Sequence, residues 1–261
     1  MNSIVKLKNV TVIKNGKTIL KNISWRVKRN QNWAVIGRNG AGKSFLLNIL
    51  SANQYPSEGG VEIFGEKFGD TDLRELKKTI GFVSPNFQKD YDSQTKVLNV
   101  IYSGFFASNG LFYDVTDEMK YKTQNIVNFL GIDHICDRIY GELSNGEQKK
   151  ALIARALVSE PDILVFDEVC SGLDIVSREE LLKTVDMVLK RGHNIIFVTH
   201  HIEEILPSIN RVLFIKNGEI LKRGKKKKLL TSENLKEALD IDVKILYKKR
   251  RYFIYSKTGS F

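Results

Sequence analysis

The residues best suited to chemistry lie in an eight-residue stretch, Gly37-Arg38-Asn39-Gly40-Ala41-Gly42-Lys43-Ser44. Its spacing, G-x-x-x-x-G-K-[ST], is that of a loop whose glycines let backbone N–H groups turn inward around phosphate oxygens. A helix beginning near Lys43 would aim the positive end of its dipole at the same point. Lys43 is placed to reach the outer phosphates, and the Ser44 hydroxyl to ligate Mg2+. A second candidate is Ile163-Leu164-Val165-Phe166-Asp167-Glu168, four apolar residues ending in two carboxylates. Beside a phosphate loop that pattern assigns Asp167 to the metal, through water, and Glu168 to polarising the attacking water.

Three further motifs follow a fixed order. Leu143-Ser144-Asn145-Gly146-Glu147-Gln148 stands just upstream of the carboxylate strand, Ser171-Gly172-Leu173-Asp174 just after it, and Val198-Thr199-His200 at a later strand end. The set resembles the ABC (ATP-binding cassette) family over roughly residues 4 to 223, with Asn145 where the signature usually has glycine. Ser144 and Glu147 also have the spacing of a helix capping box, which is compatible with that resemblance.

The resemblance implies ATP and Mg2+ as ligands and an ATPase reaction, with His200 contacting the γ-phosphate. It implies that Ser144 and Gly146 act on nucleotide held by a second copy of the chain, across a head-to-tail dimer. Ser171 to Asp174 would be the loop joining the copies. Val83-Ser84, Ser103 to Phe106 and Cys170 to Asp174 resemble the small single-domain branch of molybdate or iron-chelate type. His134, His193 and His201 receive no role.

Two positions depart from the family pattern. The glutamine expected directly after Ile80-Gly81-Phe82-Val83 is displaced; Gln88 is either that metal- and water-contacting residue or an ordinary polar loop residue. Lys14 stands where the family places an aromatic residue against adenine. Lys14, Trp25, or no aromatic residue covers the base; alternation within strands favours core packing for Trp25 and Trp33.

The elements that must position these residues are legible as periodicities. Ile4 to Ile13 and Thr18 to Val27 alternate as strands around the Asn15-Gly16 turn. Trp33 to Ile36, Ile80 to Val83, Ile163 to Phe166 and Ile195 to Val198 are short apolar runs interspersed with helical patterns, which predicts parallel pairing. Asp72 to Thr79 reads as a polar helix, residues 85–140 as mainly helical, and 211–223 as a hairpin. The expected class is α/β: the P-loop NTPase fold of the resembled family, with a RecA-like parallel core sheet, an N-terminal antiparallel β subdomain and a helical signature subdomain. Residues 1–223 form the expected cassette, with the helical subdomain inserted at about 85–140, and 224–261 a basic C-terminal extension.

Composition bounds the alternatives. Of the net charge of +11, residues 222–261 supply +9 (thirteen Lys/Arg against four Asp/Glu), leaving a nearly neutral body. No apolar run approaches the roughly 18 residues of a membrane helix, and Lys6 and Lys8 interrupt the first apolar stretch, unlike a signal peptide. Cys136 and Cys170 lack metal-ligand spacing and fit a reducing cytoplasm. The leading expectation is the energising subunit of a transporter, held at the inner face of the membrane by a separate permease. The alternative is a non-transport ATPase acting on ribosomes or nucleic acid, motivated by the basic tail. The single P-loop and the lack of a coiled-coil insert weigh against it.

Overall fold

A computed structural model describes residues 3–85 and 91–256, and the chain divides into two compact units. The first comprises residues 1–73 and 194–261, the second residues 74–193. Gln88 lies outside the described residues.

In the first unit, β1 (Ser3–Lys14) and β2 (Lys17–Lys28) form an antiparallel hairpin. Asn15 and Gly16 both have positive φ, the backbone such a tight turn requires. β4 (Glu58–Ile63) pairs with the other edge of β1, and β5 (Glu66–Lys67) with β4. β3 (Trp33–Ile36) is buried at every residue, as its uninterrupted apolar sequence requires. It pairs in parallel with β8 (Asn194–Val198) and β9 (Arg211–Lys216), and β10 (Glu219–Lys225) returns antiparallel on β9. Trp25 and Trp33 meet edge-on, 5.2 Å between ring centroids, inside the core.

Four consecutive lysines, Lys225 to Lys228, continue the structure instead of ending it. Lys226 opens a short helix, α7 (Lys226–Leu229); α8 (Ser232–Leu239) follows, then the hairpin β11 (Val243–Lys248) and β12 (Arg251–Ser256). Lys226 is buried, donating to the carbonyls of Leu206 at 2.8 Å and Pro207 at 3.2 Å. Arg251 holds the hairpin by donating to the Glu203 carbonyl, and Tyr252 is buried. Low complexity in sequence thus hides anchored backbone, because one lysine finds carbonyl partners.

In the second unit, β6 (Ile80–Val83) and β7 (Ile163–Asp167) pair in parallel. α2 (Leu73–Lys78) spans the boundary between the units; α3 (Val97–Tyr102), α4 (Asp117–Leu130), α5 (Asn145–Leu157) and α6 (Ile175–Lys190) belong to the second. α5 is pinned to its neighbours by the buried Arg155. Its guanidinium donates to the Tyr91 hydroxyl at 2.5 Å, Ser103 Oγ at 3.2 Å and the Ser108 carbonyl at 2.8 Å. Gly104 permits that approach, since a Cβ there would lie 2.0 Å from the Arg155 carbonyl oxygen. Among the described residues, no helix is long and apolar enough to cross a membrane.

Candidate functional site

The phosphate loop leaves β3 at Gly37 and enters α1 (Lys43–Leu50). Space explains two of its glycines. A Cβ at Gly37 would lie 2.5 Å from the Ile215 carbonyl oxygen, and one at Gly42 2.6 Å from Leu20 Cδ2. Gly42 is also the helix N-cap, with φ 99°, and no side chain caps the first turn. Gly42 thus brings no side-chain acceptor to the N–H groups that begin the helix, which suit an anionic ligand. Lys43, only 6% exposed, curls back over the loop and donates to the carbonyls of Gly37 at 2.9 Å and Arg38 at 3.2 Å. Ser44 is exposed beside it. The turn after β9 supports the loop: Gly218 N–H donates to the Ala41 carbonyl, and the Gly218 carbonyl accepts from Lys21 N–H.

Also in the first unit, Thr199 is buried and sets the backbone next to His200. Its hydroxyl donates to Glu204 Oε2 at 2.5 Å and accepts from His201 N–H at 2.9 Å, while its own N–H donates to the Val35 carbonyl. His200 is half-buried, its ring 4.1 Å from that of exposed His201. Trp25, 2% exposed, is a core residue and offers no face to a base. Lys14 lies over the Phe45 ring, 5.4 Å from its centroid.

In the second unit, the buried strand β7 delivers Asp167 and Glu168 half-exposed at its end. Glu168 has φ 44°, a left-handed conformation uncommon for a residue with a side chain. Ser144 caps α5 and forms a reciprocal box with Glu147. Hydrogen bonds from the Ser144 hydroxyl, then its backbone, hold the Glu147 carboxyl below its ordinary range. Gly146 is open, with Ser177 Cβ 3.7 Å from where a Cβ would stand.

Asp174 caps α6, accepting from the N–H groups of Val176 and Ser177 and from the Ser177 hydroxyl. The Ser177 hydrogen bonds depress its carboxyl. Asn145 Nδ2 donates to the Gly172 carbonyl at 3.0 Å, linking the signature segment to the loop after β7. Sequence reasoning registered Asn145 only as a departure from the signature pattern; an amide side chain where glycine is usual was the signal for this bond.

Residues 20–171 match the ABC transporter family. The chain belongs to that family. This cassette is 39% identical over 254 residues to the uncharacterized ABC transporter ATP-binding protein YlmA of Bacillus subtilis (strain 168), covering 96% of each chain. Its fold is similar to cbiO1 of Clostridium perfringens, part of the ABC transporter complex cbiONQ (TM-score 0.76, 27% identity, 91% and 94% of the two chains). It is also similar to a dimeric ATP-binding cassette in a post-hydrolysis state bound to ADP and Pi (TM-score 0.72, 27% identity, 85% and 98% covered). The cassette is accordingly a nucleotide-binding ABC-type ATPase with the P-loop NTPase fold.

Proposed function

We propose that this cassette energises an ABC transporter, two copies closing head to tail around two ATP-Mg and driving a separate permease. The observation that carries the reading is the phosphate loop: an uncapped first helical turn with Lys43 folded over it. In this reading Gly37, Arg38, Asn39, Gly40, Ala41, Gly42 and Lys43 hold the phosphates. Ser44, Asp167 through water, and Gln88 attend the Mg2+, which offsets phosphate charge. Glu168 accepts the proton of the attacking water, and His200 contacts the γ-phosphate. Ser144 and Gly146 serve nucleotide bound to the partner copy, where the start of α5 favours an anion.

The same reading takes residues 1–223 as the cassette, with the helical subdomain at about 85–140, and 224–261 as a basic extension. It locates the protein at the cytoplasmic face of a membrane through its permease. Glu168→Gln should leave ATP binding intact, slow phosphate release at least a hundredfold and accumulate a dimer on gel filtration. Purification in mild detergent should recover an integral membrane protein. Unchanged hydrolysis by the variant would remove Glu168 as the base, and reproducible absence of a membrane partner would remove transport.

A second reading, action on ribosomes or nucleic acid, draws on the β11–β12 hairpin. Residues 243–256 carry five Lys/Arg and no acidic residue. Register places Lys244 opposite Tyr255 and Leu246 opposite Phe253, and all four are exposed. Cations and aromatic rings together suit single-stranded nucleic acid. RNA binding that weakens steeply with salt would favour this reading; none at low salt would discard it.

A further inference from the structure

The C-terminal helix α8 ends against the phosphate loop. Its C-cap residue, Asp240, takes the left-handed conformation (φ 55°, ψ 33°), and its N–H donates to the Lys236 carbonyl. That turn presents the carboxylate to two cations. Oδ1 accepts from Lys216 Nζ at 2.6 Å and Oδ2 from Arg38 Nη1 at 3.3 Å. Lys216 also donates to the Glu237 carbonyl at 2.8 Å, fixing the end of α8 to β9. Between the loop and the helix lies a cavity of about 160 Å3, with Arg38 to Ala41 on one wall and Lys216, Ala238 and Asp240 on the other.

Arg38 is the pivot of this arrangement. Its carbonyl oxygen accepts from Lys43 Nζ and from Ala41 N–H, so its backbone sits where the loop turns. Its side chain is drawn outward to Asp240, which restrains that same backbone from the other side. We propose that Asp240 is a positioning residue for the nucleotide site. It holds the first turn of the phosphate loop in its receptive conformation by tethering Arg38, so the C-terminal segment sets nucleotide affinity. The proposal rests on the reading that residues 37–44 bind ATP. Asp240 touches no nucleotide phosphate in it; like charges would repel. Its contribution is preorganisation of a loop that would otherwise be ordered at the expense of binding.

The test is equilibrium binding of a fluorescent ADP analogue to the full chain, with ATP as competitor. Asp240→Ala should weaken binding two- to fivefold, the range expected of an exposed charge pair. Asp240→Glu should recover most of the loss. In an Arg38→Ala background, Asp240→Ala should add nothing further, since coupled residues are not additive. Raising salt should narrow the gap between wild type and Asp240→Ala. Thermal melts of Asp240→Ala and Lys216→Met show whether the helix end has merely come loose. Affinity loss in Lys216→Met equal to that in Asp240→Ala, persisting without Arg38, would assign the effect to helix anchoring and overturn the proposal. So would unchanged or tighter binding by Asp240→Ala. Failure of the wild type to bind either nucleotide would instead overturn the reading of residues 37–44.

Discussion

Ser144 and Glu147 bind each other at the start of α5. Glu147 N–H donates to Ser144 Oγ at 3.3 Å, while Glu147 Oε2 accepts from both the Ser144 N–H and its hydroxyl, each at 2.8 Å. The contact needs the carboxylate ionised, because an anionic acceptor makes the stronger bond. The folded-state value is depressed, so its stabilisation is present above the ordinary glutamate range and lost as pH falls through the lowered value. Wild type should therefore melt above Glu147→Gln at neutral pH, with the difference shrinking below about pH 4.5, the ordinary value. A difference that stays constant from neutral to acid pH would contradict this origin.

Lys43 is a buried cation that donates to two carbonyls of its own loop. Hydrogen bonds from charged groups contribute roughly 1.5–3 kcal/mol, about a ten- to hundredfold effect when the partner is a ligand. Lys43→Met, which keeps the apolar stem, should lose nucleotide affinity by that factor with little change in melting temperature. Fluorescent-nucleotide titration measures the first and calorimetry the second. Undiminished affinity would place the lysine outside the phosphate site.

Glu168 carries a backbone conformation that glycine would adopt without cost. Relief of left-handed strain is typically about 1 kcal/mol. Glu168→Gly should thus abolish hydrolysis while raising the denaturation midpoint slightly. A variant both inactive and clearly less stable would show that the side chain contributes packing beyond its chemistry.

Lys226 is driven down to about 8, chiefly by burial and then by the nearby charges of Lys227 and Arg250. The unfolded chain keeps its proton up to the ordinary value of 10.5, whereas the folded chain releases it from about 8. Unfolding takes up a proton across that window, so stability from this group rises with pH there. Lys226→Met should lack that rise, as seen by chemical denaturation at pH 8 and pH 10. Identical pH slopes for the two proteins would refute the assignment.

What the sequence made legible was local. β3 occupies the four residues of its apolar run, and the Asn15-Gly16 pair marks its hairpin, because side-chain periodicity and turn preference act over a few residues. The phosphate loop was equally plain, since its spacing is itself a backbone instruction. Glu168's left-handed φ left no trace, because glutamate has no preference for that conformation. The Arg38–Asp240 bond joins positions 202 apart, and no pattern along the chain pairs them. Along the chain, Lys226 is one of four consecutive lysines with nothing to set it apart. Its burial depends on carbonyls at Leu206 and Pro207 whose positions are set only once the tertiary fold exists.

The hydrogen bonds of Gly218 with Ala41 and Lys21 also constrain the order of events during synthesis. The ribosome completes the phosphate loop early, yet the turn that supports it emerges far later in the chain. A nascent chain ending before that turn carries the whole motif without this brace.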